Sequence, residues 1–407
     1  MCNEIRTKNL LGLIVEPYEG RWVEPLSDAS MTRIFFSSLG SFLVRKVTIE
    51  DRYHRGTEYV VDMMYLRDLE YRDGYENLGC KVFFDSNSEI SMIEDHDGSL
   101  YHPRDNFWEW AKLKARSAVF VYASVEHLMW YHMIYANIPG MSLRMFLPPD
   151  HPVRLALTPH FFRTHSTCNQ AEHLLVVEKG IIHRALPFQY KGGLEKFYTD
   201  MMTSFQFSTY PVELEQRGMM DNEHHIGTDG VFLHGILSRY VSNLVDEIYP
   251  DKMSFMADPR LKEHYEFMSK KIRGVTSEFN MSNFKMVWGE ILFRVTGAHT
   301  SVGNVAIYAL EPFSVNFRMK EQDKGKVVGS REAIAVMSLI SGISLPAEYP
   351  NLSQDWSHVI HDSESRAYAQ LKAELVELGQ TINERNTARR FASLDYHPDH
   401  VAISIFS

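Results

Sequence analysis

The chain's 407 residues are 44% hydrophobic and 23% charged, the balance of a globular protein whose core can shut water out of a reactive centre. A net charge of −10 argues against a nucleic-acid partner, which calls for a basic surface, and to a lesser degree against docking on anionic lipid. Three cysteines (Cys2, Cys80 and Cys168) make no disulfide framework, which points to a reducing, cytoplasmic compartment.

The N-terminus carries a short apolar run cut by Glu16 and Pro17 and no small-residue cleavage site, so no signal peptide is expected. No apolar stretch approaches the roughly 20 residues needed to span a bilayer. Up to about residue 100 the pattern is mixed, with β-prone runs at Tyr59-Val60-Val61 and Lys81-Val82-Phe83-Phe84 among turn residues. From about residue 105 it turns helical. Trp108 to Asn137 reads as one long helix, with Trp110, Leu113, Ala118, Val121 and Val125 at helical spacing. It is apolar over much of its surface, hence buried on several sides, and Pro139-Gly140 is expected to end it. Further helices are predicted over Asp229–Ile248, Met281–Leu310 and Glu364–Arg390. The tail from Leu394 to Ser407 is interrupted by proline and then β-branched, and reads as an extended, strand-like peptide. With no linker to split it, the chain reads as a single, mainly α domain over residues 1–407, with a little β structure near the N-terminus.

The long helix contains His127-Leu-Met-Trp-Tyr-His132. On a regular α-helix these two histidines diverge by roughly 140°. A local π-bulge would bring them to one side, and such bulges gather at functional sites. Imidazole suits iron, copper and zinc. The other reading is of two core histidines, each satisfied by a hydrogen bond.

Downstream come Phe146-Leu-Pro-Pro-Asp-His151-Pro, Pro159-His160, Thr164, Ala171 and Gly180-Ile181-Ile182. Together with the histidine pair, this text resembles the lipoxygenase family. Glu213-Leu-Glu-Gln-Arg217-Gly218, the helix ending in Gly297-Ala298-His299, and Ile382-Asn-Glu-Arg385-Asn386 extend the resemblance over about residues 105–407. Tyr122 stands where the family often has a further histidine, and the gap from His132 to His151 is one residue longer than usual. Residues 1–100 diverge and are too few for the family's N-terminal lipid-binding β-barrel, which is expected to be absent.

The resemblance implies a lipoxygenase-like helical bundle around a long buried metal-binding helix. It implies non-heme iron, with manganese as the minority option, held by His127, His132 and His299. Where the family often places a further weak ligand this chain has Gly303, which leaves Asn304, one residue on, as the candidate. In the family the C-terminal isoleucine carboxylate also binds the metal. Matching Ala402-Ile403-Ser404-Ile405 to that ending leaves Ile405 internal. Matching the chain ends instead makes the α-carboxylate of Ser407 the ligand, and this register is preferred. The implied reaction takes a hydrogen atom from a polyunsaturated, fatty-acid-like substrate and adds O2 to give a hydroperoxide, with no acid–base pair beyond the metal centre. Ala171 matches the small residue that governs product chirality; Leu175, Ile181 and Ile182 match residues lining the substrate cavity. Two alternatives stand beside this dioxygenase: a lipoxygenase-fold oxygenase acting on another small molecule in specialised metabolism, and a metal-free binding protein. His224-His225, His358, His361, His397 and His400 are expected to be surface or supporting groups.

Overall fold

The computed structural model describes residues 26–53, 55–220, 224–303, 315–316, 350–357 and 365–405. After helix α1 (Asp28–Phe36), five short strands form an antiparallel meander: β1 (Arg45–Lys46), β2 (Tyr59–Asp62), β3 (Cys80–Phe84), β4 (Ile90–Asp95) and β5 (Leu100–Tyr101). The two β-prone runs supply β2 and β3. Alternation along them splits the sheet into two faces. Val61, Val82 and Ile93 stand side by side on the face toward the main core, while Val60, Phe83 and Met92 form a small cluster on the other. The sheet is tied to the next helix by Lys114, whose buried ammonium pairs with Asp95 and, at 3.3 Å, with Glu76.

Helix α2 (Trp108–Glu126) runs without a break into a π-helical segment, His127–Asn137, and from there into α3 (Ile138–Phe146). Nearly every residue of α2 is buried, the charged Lys112, Lys114, Arg116 and Glu126 included. Pro139-Gly140 does not end this rod, contrary to the sequence expectation. Pro139 falls in the first turn of α3, just where the ladder returns from π to α pairing. The fixed φ of proline is compatible with the helical backbone there.

The expected helices at 229–248 and 364–390 appear as a π turn (Ile226–Gly230) continued by α4 (Val231–Ile248), and as α6 (Arg366–Ala388) with Ser365 as its N-cap. The third begins at Met281, where Asn280 accepts from the Asn283 N–H, as α5 (Met281–Phe293). It continues through a π turn (Arg294–Ala298) into α7 (His299–Gly303); its expected end at Leu310 lies outside the described residues. Helices α5 and α6 both pack on α4, so the C-terminal helices wrap the core that holds the long rod. The apolar core is continuous from Met31 to Ile405. Among the described residues, no helix is long and apolar enough to cross a membrane.

Candidate metal centre

The π segment solves the spacing problem posed by His127 and His132. Where backbone pairing widens to i→i+5, residues five apart lie one above the other. The two rings stack with centroids 4.8 Å apart, and their Nε2 atoms are 2.8 Å apart. The π turn Arg294–Ala298 then presents His299 at the start of α7, with its Nε2 3.3 Å from that of His132. One donor nitrogen from each of the three histidines lies within 4.8 Å of the others.

Burial forces these imidazoles toward the neutral form that ligates metals. It depresses His127 to about 4, and His132 and His299 well below the usual range. Three neutral nitrogens then face one another, and a single shared proton can satisfy only one pair. The Nδ1 atoms of His132 and His299 are buried with no hydrogen-bond partner among the described residues. Two donors at right angles on a metal, with bonds of about 2.1 Å, stand about 3.0 Å apart. The observed 2.8 and 3.3 Å match that spacing, so the three side chains fit a metal ion.

A buried ionic network backs this centre. Arg294, in the turn before His299, binds Glu290 at 2.5 Å and Glu213 at 2.6 Å. Arg217 meets Glu213 at 3.2 Å. Burial alone would raise the Glu290 carboxyl, but Arg294 and hydrogen bonds from His234 and the Tyr210 N–H hold it below the usual value. Glu126, next to His127, goes the other way: burial, and then the charge of Glu213, raise it well above the carboxylate range. The stretch Glu213–Arg217 is thus a fastening of the helix that carries the third histidine. Sequence reasoning missed Glu290 and Arg294, although their four-residue separation on a helix was a readable signal.

From Leu394 to Ile405 the tail is mostly buried and forms no strand. Its one ladder contact among the described residues is an isolated bridge between Ala402 and Asn351. Side chains hold it instead. His160 donates from Nδ1 to the Ile403 carbonyl at 3.1 Å, and Thr164 from its hydroxyl to the Ile405 carbonyl at 3.0 Å. Ser404 donates to the Phe162 carbonyl at 3.1 Å, and the Ala402 N–H to the Thr300 hydroxyl at 3.2 Å. Asn386 turns the chain from α6 toward the tail by bonding both the N–H and C=O of Ser393, at 3.1 and 2.9 Å. Arg385 anchors the end of α6 on buried Asp229 at 2.7 Å. The Pro159-His160 and Thr164 text is a clamp for the tail, a role not read from the sequence. Asn304, Ser407, His358 and His361 lie outside the described residues.

Ala171 sits on the helix Thr164–Leu174, which packs on the π segment; on it Cys168 Sγ meets the His132 carbonyl at 3.4 Å. The Leu175 N–H bonds the Ala171 carbonyl at 2.9 Å, and the Ile182 N–H the Leu175 carbonyl at 3.3 Å, so these three candidate pocket residues are gathered. Ala171 and Ile182 are buried, Leu175 and Ile181 half-buried. Of the other histidines, His225 and His397 are buried, in contrast to a surface placement, because the tail, which carries His397, packs into the core: His225 lies 3.6 Å from Asp395. His224 is half-buried and bonds Ser88 at 2.9 Å; His400 is half-buried too.

This fold is that of the lipoxygenase catalytic domain. The chain is a relative of the lipoxygenases. It is 25% identical over 193 residues to polyunsaturated fatty acid lipoxygenase ALOX15B of Homo sapiens, a match covering 46% of this chain and 28% of that protein. It is 28% identical over 184 residues to arachidonate 12-lipoxygenase, 12R-type, of Mus musculus, covering 43% and 25%. A calcium-dependent 11R-lipoxygenase superposes with a TM-score of 0.82 at 19% identity, over 94% of this chain and 66% of that one. The manganese lipoxygenase of Gaeumannomyces graminis superposes with a TM-score of 0.78 at 14% identity, over 100% and 88%. No family model matches the chain.

Proposed function

We propose that the chain is a non-heme metal dioxygenase of the lipoxygenase type, with iron as its metal and a polyunsaturated fatty acid or similar chain as its substrate. The observation that carries this reading is the convergence of three imidazoles, those of His132 and His299 buried and that of His127 half-buried, on one point. Such a donor set leaves coordination positions open for a reacting group. When bound, the metal supplies the redox chemistry that removes a hydrogen atom from a doubly allylic CH2 before O2 adds to give a hydroperoxide.

The protein's own groups supply the rest. His127, His132 and His299 hold the metal, with Asn304 and the Ser407 carboxylate as the proposed additional donors. The Arg294 network fixes the turn that carries His299. Ala171, Leu175, Ile181 and Ile182 are proposed to line an apolar cavity that keeps water from the radical. His160 and Thr164 hold the tail against the core.

Protein expressed with added iron is assayed for bound metal, for O2 uptake and for conjugated-diene absorbance with linoleate or arachidonate. Metal bound together with diene formation supports the reading. A protein that takes up no metal refutes it, and so does a His132→Ala variant with full activity. Among the relatives is hydroperoxide isomerase ALOXE3 of Homo sapiens, 24% identical over 180 residues. The second reading is therefore a metal enzyme that rearranges a fatty-acid hydroperoxide. Loss of added hydroperoxide without O2 uptake would select it.

A further inference from the structure

Gly303 is the last described residue of α7, the helix that begins with His299, and the His127 ring lies directly on it. A Cβ at Gly303 would stand 2.6 Å from Cε1 of His127 and 3.2 Å from its Nδ1. Carbon atoms sit comfortably at about 3.5–4.0 Å, so one side would have to move. Both sides are held. The ring is hydrogen-bonded to the backbone of Val302, and its Nε2 is 2.8 Å from that of His132. The turn is fastened from behind: Thr300 accepts from the Ala402 N–H of the clamped tail at 3.2 Å, and Val302 is buried. Just upstream, Gly297 lies against Leu233, Phe293 and Tyr396 with no room for a side chain.

We propose that Gly303 is a positioning residue for His127, its missing side chain leaving the space in which that imidazole turns its Nε2 toward His132 and His299. This inference rests on the metal-centre reading.

The test compares the parent, Gly303→Ala, His127→Ala and the double variant. Each is titrated with Co(II), read by its d–d absorption, and each is unfolded thermally without metal. Gly303→Ala is expected to weaken Co(II) binding about 10- to 100-fold, the usual effect of disturbing the support of a metal ligand. The double variant is expected to bind no more weakly than His127→Ala. Without metal, Gly303→Ala should lower Tm when His127 is present, and leave it unchanged or raise it when His127 is alanine, because alanine favours a helix over glycine. If Gly303→Ala alone fails to fold, the double variant must still fold. Affinity of Gly303→Ala within about two-fold of the parent, or losses that simply multiply in the double variant, overturn the proposal. So does an equal fall in Tm in both backgrounds. A parent that binds no Co(II) defeats the metal-centre reading instead, and the reversal of sign in Tm still decides whether Gly303 seats His127.

Discussion

Replacing Thr164 with valine keeps the shape of the side chain and removes one hydroxyl. That hydroxyl donates to the Ile405 carbonyl at 3.0 Å, and both residues are fully buried. Water cannot reach the site to take its place, so the variant carries the cost of a buried carbonyl that loses a donor, about 1–3 kcal/mol. Thr164→Ser is the matched control. It keeps the donor and loses one methyl, about 1 kcal/mol of apolar transfer plus the small cavity left behind. Urea unfolding of the three proteins, followed by tryptophan fluorescence, should rank them parent, then serine, then valine. The valine variant should also give up bound metal faster to a chelator, because the loosened tail is the segment proposed to complete the metal shell. A serine variant less stable than the valine one refutes the argument, since packing and not the hydroxyl would then hold the tail.

Arg294→Met should cost about 3–5 kcal/mol, because it leaves buried Glu290 without its cation, while half-buried Glu213 keeps only Arg217. Adding Glu290→Gln should recover part of that loss in denaturant unfolding, and an unchanged unfolding midpoint for Arg294→Met would contradict the network's role. Burial lowers His160 to about 4 and His264 to about 3, so both are neutral in the folded protein at pH values where the unfolded chain, near 6.5, already takes up protons. Their contribution is complete above about pH 6.5 and is lost as the pH falls toward 4 and 3, at about 1.4 kcal/mol per pH unit for each histidine. In metal-free protein, His264→Gln should flatten the fall in stability through this window; an unchanged slope would count against the assignment. Fe(II) added under anaerobic conditions at a hundred times its Kd should stabilise the parent by about 2.7 kcal/mol, and His132→Ala should abolish the effect. A Tm indifferent to the metal would remove the case for a metal centre.

Much of the molecule was legible before folding. The long buried helix, the two β-prone runs, and the helices beginning near 229, 281 and 364 follow from apolar period and capping residues, which act over a few positions. Ser365 and Asn280 cap their helices by contacts no more than three residues away. The identity of the three histidines was also readable, because residue type and motif spacing are properties of the chain itself.

Three things were decided only by the tertiary structure. A five-residue spacing on an α-helix points two histidines apart, and nothing within that stretch forces the π pairing that unites them; packing of the whole rod does. Pro139-Gly140 reads as a stop locally, yet the rod runs on through it at the change of ladder. The meaning of His160, Thr164 and Gly303 lay in partners far along the chain, at Ile403, Ile405 and His127. The sequence by itself determined which segments coil, which is local chemistry, and, through its resemblance to a family, which side chains are candidates to hold a metal. Where those side chains meet, and what keeps them there, is set by contacts between residues from 5 to more than 240 positions apart, which only the folded core brings within reach.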